Sequence, residues 1–231
     1  YGQFFDELRG RFPGVAKQDW FLSDGGHFEN TGAYALLRQE CEVIVVADCG
    51  ADPRYAFADL ENLVRKARID LQAGITFLRP KSPASAPKAF GSLNEIASEE
   101  SEACIALARV DYGHSKKQGL MFIVKPNLSQ GLPVDLVNFK ADTPLFPQEP
   151  TTDQFFSEAQ WESYFQLGET LGRQLDDHTT APLQRYAHDQ PAALLGHLEG
   201  TFTRARLHGR HACLLHGRTP TTRGRKEWGV P

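Results

Sequence analysis

The sequence predicts a layered α/β fold, and three observations carry that prediction. Glu42 to Asp48 (EVIVVAD) is a continuous β-branched run, the clearest strand in the chain. Such a run suggests burial on both faces, as in a parallel sheet covered by helices. Phe57 to Leu71 is a long amphipathic stretch, with Leu60, Leu63, Val64, Ala67 and Leu71 on one face and Arg65, Lys66 and Arg68 on the other. Apolar strand-like runs and helical stretches alternate from residue 20 to residue 78, which argues for a sheet wound with right-handed crossovers.

The elements follow in order. Gln3 to Phe12 reads as a short helix closed by a Pro13-Gly14 turn. Trp20-Phe21-Leu22 is a short apolar strand that delivers Ser23 and Asp24. Gly25 and Gly26 follow at once, and Thr31 to Glu40 is helical, with Ala33, Leu36 and Leu37 at helical spacing. The strand Glu42 to Asp48 ends in a second strand-end aspartate, before Cys49-Gly50. After the amphipathic helix, Gly74 to Leu78 is a further strand. Residues 79–92, with Pro80, Pro83 and Pro87, form an exposed loop.

Ala103 to Tyr112 and Leu120 to Lys125 read as a hairpin around Gly113 to Gly119, placed at an antiparallel edge. Val134 to Ala141 is a short helix, and Pro144, Pro147 and Pro150 set an extended crossing. Ser157-x-x-Gln160 has the capping-box pattern and opens a helix to about Leu175. Ala181 to His188 and Pro191 to Glu199 are weaker helical stretches. Residues 1–200 read as one domain, and 201–231 as a basic, poorly ordered tail.

Composition bounds the function. The chain has 231 residues and a net charge of −4. Residues 1–200 hold 18 Lys and Arg against 28 Asp and Glu, a net of −10; residues 201–231 hold 7 against one, a net of +6. An acidic body is no nucleic-acid platform. Apolar runs such as Val43 to Ala47 fall far short of the roughly 18 residues of a membrane span. No charged-then-apolar leader opens the chain at Tyr1, which is expected to lie inside a longer protein. Cys41, Cys49, Cys104 and Cys213 lack paired spacing and read as reduced core thiols rather than a zinc site. His208, His211, Cys213 and His216 sit in the tail, and their clustering reads as accidental.

A carboxylate at the end of a strand, before two small residues, is a way to present a general base. Asp24 can take a proton from a hydroxyl within about 3 Å, and Gly25 and Gly26 leave room for the approach. The same residue can serve as a helix or turn cap. His27 suits a packing or helix-start role, and Glu29 and Asn30 suit the first turn of the following helix. The aromatic set Phe155, Phe156, Trp161, Tyr164 and Phe165 falls at helical spacing and reads as core packing. Asp24, Asp48 and Asp52, at successive strand-end turns, could instead form an oxygen-rich metal site for a metal-dependent hydrolase.

Ser23-Asp24-Gly25-Gly26-His27-Phe28-Glu29-Asn30-Thr31-Gly32, then a helix, then a strand ending Val45-Val46-Ala47-Asp48-Cys49-Gly50-Ala51-Asp52-Pro53, resembles the C-terminal half of patatin-like phospholipases. The resemblance extends to the helix with Asn62, Arg65 and Asp70, and to Pro150 through Tyr164, which is similar to a signature of large bacterial members. It covers roughly residues 19–175. The resemblance implies a three-layer α/β/α catalytic fold and a lipid acyl hydrolase with a serine–aspartate dyad. Asp24 matches the dyad aspartate, and neither metal nor organic cofactor is required.

The family's nucleophile sits in a Gly-x-Ser-x-Gly elbow. This chain has none; Gly113-His114-Ser115-Lys116-Lys117 lacks the second glycine and falls in the hairpin. The expectation is therefore an incomplete patatin-like fold, inactive alone, whose partners are a phospholipid at a membrane surface and the N-terminal half of the same catalytic domain. The expected location is cytoplasmic or peripheral to a membrane. A non-catalytic module that binds lipid or a partner is the remaining alternative.

Overall fold

The computed structural model of the chain describes residues 2–11, 14–16, 24–82, 87–98, 100–128, 132–173 and 201–205. Five strands form one mixed sheet: β1 (Val43–Ala47), β2 (Ala73–Pro80), β3 (Ile105–Tyr112), β4 (Gln118–Val124) and β5 (Phe202–Arg204), in the spatial order β1-β4-β3-β2-β5. β1 runs parallel to β4, with Val43 opposite Leu120 and Ala47 opposite Val124. The β4–β3, β3–β2 and β2–β5 pairs are antiparallel. The helices are α1 (Gly2–Leu8), α2 (Ala33–Arg38), α3 (Ala58–Asp70), α4 (Leu93–Ile96), α5 (Val134–Asp142) and α6 (Glu158–Arg173).

Alternation along the strands sends side chains to two cores, one on each face of the sheet. Ile44, Val46, Ile75, Phe77, Ala108, Val110, Met121 and Ile123 pack with Leu37 of α2, Leu60, Leu63, Val64 and Ala67 of α3, and Leu93 and Ile96 of α4. Leu107, Leu120 and Phe122 pack on the other face with Leu136 of α5, Phe146, and Leu167 and Leu171 of α6. The architecture is thus α/β with helices on both faces. Among the described residues no helix is long and apolar enough to cross a membrane.

Three features differ from expectation. First, the hairpin β3–β4 lies in the middle of the sheet, inserted between β1 and β2, rather than at an edge. Its strands are buried almost throughout. Second, among the described residues β1 is the edge, and its second face is covered only in part, with Val43 half-buried against the second core. Ile44 and Val46 are buried, while Val45 is 57% exposed. Strand order depends on pairings between residues some 75 positions apart, which local periodicity does not encode. Third, the chain rejoins the sheet at β5, inside the stretch read as a tail. Phe202 and Ala205 there are buried, and three residues are too few to show a period.

The remaining elements shift by a few residues at their ends. α1 stops at Leu8 rather than Phe12. α4 is an addition, opened by a full capping box in which Ser92 and Glu95 bond each other's backbone amides. The expected strand Trp20–Leu22, the helical stretches 181–188 and 191–199, and Cys213 with its neighbouring histidines lie outside the described residues.

Candidate active site

β1 and β4 run in the same direction, so their carboxyl ends open on one side of the sheet. Crevices at such ends are the usual ligand sites of α/β folds. Asp48 follows β1 and Lys125 follows β4. The Asp48 amide donates to the Val124 carbonyl at 2.9 Å, continuing the ladder by one step. The Lys125 ammonium donates to Asp48 Oδ1 at 3.1 Å and to the Gly50 carbonyl at 2.9 Å. Both side chains are buried, 2% and 5% exposed, so this ion pair is shielded from water. The Gly50 amide also donates to Asp48 Oδ1, at 3.2 Å. Asp48 is therefore committed to holding the two strand ends together.

Asp52 has a different task. Its Oδ1 accepts from the Ala56 amide at 2.9 Å and its Oδ2 from the Phe57 amide at 2.7 Å, at the start of α3. Tyr55 and Phe57 both take left-handed backbone angles there, with φ of 45° and 55°. Bulky residues rarely adopt such angles, and the two Asp52 bonds hold the turn. The Asp52 amide in turn donates to the buried Gln148 side chain at 3.0 Å, and Gln148 Nε2 donates to the Pro126 carbonyl at 3.1 Å. Gln148 thereby clamps the loop after β1 to the loop after β4. Among the described residues no group of three His, Cys, Asp or Glu side chains is placed to hold a metal ion. Asp24, Asp48 and Asp52 do not converge on one point.

Asp24 stands at the mouth of this end of the sheet. It is exposed and caps a single 3-10 turn, Gly25–His27, through a 2.8 Å bond from the Gly26 amide to Oδ1. Oδ2 carries no hydrogen bond among the described residues. The two glycines differ in kind. A Cβ on Gly26 would stand 2.9 Å from Asn30 Oδ1 and 3.2 Å from Asp24 Oδ1, so the turn admits no side chain there. A Cβ on Gly25 would meet nothing within 4 Å. Among the described residues, the Gly25 side of the turn is therefore open.

The rest of the segment is braced against α3. Asn30 donates to Asp59 at 3.0 Å, and a Cβ on Gly50 would lie 3.7 Å from Asn30 Nδ2. These contacts bring the Asp24 turn to the carboxyl end of β1. Asn62 donates to the Phe28 carbonyl at 2.9 Å, and Arg65 donates to Asn62 at 2.8 Å. The Lys66 ammonium sits 3.8 Å above the Phe28 ring, and the Tyr34 hydroxyl donates to Asp70 at 3.3 Å. Asn62, Arg65 and Asp70, singled out in the sequence only as parts of a resemblance, all support the Asp24 segment. Buried Glu29 accepts from the Thr31 amide and hydroxyl at 2.7 and 2.6 Å and from the Tyr34 amide at 3.2 Å, anchoring the start of α2 as expected. His27 is exposed on the 3-10 turn.

Other expectations change. Ser115 lies in the β3–β4 turn, at the amino end of β4. The seven residues of β4 put about 20 Å between it and the Asp48 end. It is no partner for Asp24. Cys104 is buried as a core thiol, but Cys49 is exposed. Burial raises the Cys104 pKa to about 11. Partial burial, with neighbouring Asp48, also raises that of Cys49, against the lowering pull of Lys125. The aromatic set is not core. Phe155, Phe156, Trp161 and Phe165 are all exposed, Phe155 at 93%, and of the five Tyr164 alone is half-buried. Lys125 and Gln148 were not legible as site residues. Their partners lie 77 and 96 positions away, and no local motif marks them.

Compared with family models, with curated proteins and with solved structures, the chain matches none.

Proposed function

We propose that this chain supplies the aspartate half of a serine–aspartate lipid acyl hydrolase, patatin-like in type. Its serine would come from a segment outside residues 1–231, and the chain alone would be inactive. The observation that carries the reading is the setting of Asp24. Among the described residues, a carboxylate with one oxygen fixed by the Gly26 amide and the other without a hydrogen bond stands on the open Gly25 side of the turn, near the carboxyl end of β1. The fixed oxygen sets the direction of the free one, which is what a positioned base requires.

In this mechanism a serine hydroxyl enters over Gly25 and gives its proton to Asp24 Oδ2 as its oxygen attacks the ester carbonyl. The proton passes to the departing alcohol, leaving an acyl-serine. Asp24 then takes a proton from water as the water oxygen attacks the acyl carbonyl, and returns that proton to the serine oxygen as the acid is released. The oxyanion donors would also come from the missing segment.

Two further features support the reading. β1 has the composition of a strand buried on both faces, but among the described residues one face is covered only in part, with Val43 half-buried and Val45 outward. An added strand and its helices would cover it. The exposed Phe155, Trp161 and Phe165 give the aromatic surface that a peripheral protein sets into a lipid interface. The metal-dependent alternative draws no support from Asp48 and Asp52, whose oxygens hold Lys125 and the α3 start.

The test uses a longer protein that includes the missing segment. Asp24→Asn keeps the Gly26 bond, because asparagine caps as well as aspartate, but removes the base. Ester hydrolysis should fall by about 10²-fold or more with the melting temperature unchanged. Turnover that survives the substitution rejects Asp24 as the base, and hydrolysis by residues 1–231 alone rejects the missing serine.

A further inference from the structure

A cleft of about 180 Å³ lies beside the candidate active site, lined by Cys49, Glu149, Pro150, Thr151, Phe156, Trp161 and Tyr164. This is smaller than the roughly 300–1,000 Å³ of a pocket for a drug-sized ligand, and it suits one compact group. Its walls are aromatic. The Phe156 and Trp161 ring centroids are 6.4 Å apart with planes inclined at 46°. α6 packs through Gln160, Ser163, Leu167 and Leu171, so Trp161 is not needed for that packing and remains 66% exposed.

Glu149 supplies charge. Its Oε1 accepts from Gln160 Nε2 at 3.2 Å. Its Oε2 is buried and, among the described residues, receives no hydrogen bond of good geometry. The Tyr164 phenol is pushed up to about 12, chiefly by burial; the bond from the Glu149 amide lowers it and the Glu149 carboxylate raises it. The hydroxyl therefore stays neutral. A carboxylate held out of water among aromatic side chains is unfavourable, and the charge of a cation nearby offsets that cost.

The kind of cation follows from what the cleft lacks. A divalent metal needs several oxygen ligands, and one carboxylate does not supply them. A primary ammonium has three donors to satisfy, and the Phe156 and Trp161 faces, unlike Glu149, Thr151 and Tyr164, offer it no acceptor. An anion is repelled by Glu149. A fully methylated ammonium has no donors, carries its charge on its methyl surface, and is attracted to aromatic faces whose centroids lie within about 6 Å.

We propose that this cleft binds a quaternary ammonium group, the trimethylammonium of a choline-type head group or of free choline. The proposal is independent of the hydrolase reading, because binding is measured without turnover.

The experiment titrates residues 1–231 with choline and with its neutral carbon isostere, 3,3-dimethylbutan-1-ol, by saturation-transfer NMR. Choline should bind about tenfold or more tightly than the isostere. Trp161→Leu should weaken choline about tenfold, and Trp161→Phe should retain most of the affinity. Glu149→Gln should weaken choline and leave the isostere unchanged, with thermal unfolding as the control for fold. Co-sedimentation with phosphatidylcholine but not phosphatidylglycerol vesicles assigns the site to lipid head groups. Binding of free choline without that preference assigns it to a soluble ligand. Equal binding of choline and isostere overturns the proposal, as does no binding of either or indifference to Trp161→Leu.

Discussion

At the scale of single residues, the strongest commitment in the molecule is the pair Asp48–Lys125. Both groups are out of water, and each is the other's charge partner. Removing one leaves a buried charge uncompensated, a loss of about 3–5 kcal/mol, whereas replacing both with apolar residues of similar size is close to neutral. Lys125→Met alone should thus abolish stable folding or lower the denaturation midpoint sharply, and Asp48→Leu with Lys125→Met should recover most of it. Chemical denaturation of the parent and the two variants measures this; a single mutant as stable as the parent would show that the pair is not buried in solution. The thiols give a second residue-scale expectation. Cys49 is exposed and Cys104 is not, so alkylation mapped by mass spectrometry at pH 8 should label Cys49 and spare Cys104 until the protein unfolds. The Cys104 pKa is raised from 9.0 to about 11 in the folded state. The stabilisation linked to its protonated form is therefore present below pH 9 and is lost as pH rises through about 11.

At the scale of elements, α4 rests on its cap. It has four residues, too few to form a helix by propensity alone, and its first turn is closed by Ser92 and Glu95. Ser92→Ala should cost about 1 kcal/mol and loosen Leu93 and Ile96, which fill the core under α3's face of the sheet. A shift in urea midpoint reads the loss, and an unchanged midpoint would mean that burial of those two side chains holds the turn without the cap. The Ser92-x-x-Glu95 spacing is visible in the sequence, yet the prolines before it hide it as loop. Long periodic elements were legible: α3 and α6 fall within two residues of their expected bounds. What local pattern did not show is neighbourhood. β1 looks central and is an edge; β3 and β4 look like an edge and are central. The site divides in the same way. Asp24 could be read because its turn chemistry is carried by adjacent residues. Lys125 and Gln148 could not, because each acts on a loop brought near only by the sheet. The cleft between Glu149 and α6 escaped for a related reason. Helical spacing alone does not tell which side of α6 faces the sheet, and Trp161 and Phe165 lie off the packed stripe.

At the scale of the whole molecule, the β1 side of the sheet carries no further strand among the described residues. Asp48 donates to β4 and Glu42 accepts from it, so the even-numbered residues of β1 turn their backbone groups inward. The odd-numbered amides of Val43, Val45 and Ala47 point away from β4, toward the side where no described strand lies. An apolar edge with free amides is a template for another strand, and this one adjoins the Asp24 turn through Asn30 and Gly50. If the missing half of the site docks here, two results follow together. In residues 1–231, hydrogen exchange along β1 should alternate, with Ile44 and Val46 slow and Val43, Val45 and Ala47 fast. In the longer protein that carries the nucleophile, all five should be slow. Val45→Lys should leave residues 1–231 folded, since that side chain is exposed, while lowering both β1 protection and ester hydrolysis in the longer protein. Odd-numbered amides that still exchange fast in the longer protein would place the serine-bearing segment elsewhere, and slow exchange of all five in monomeric residues 1–231 would mean that the edge is already covered.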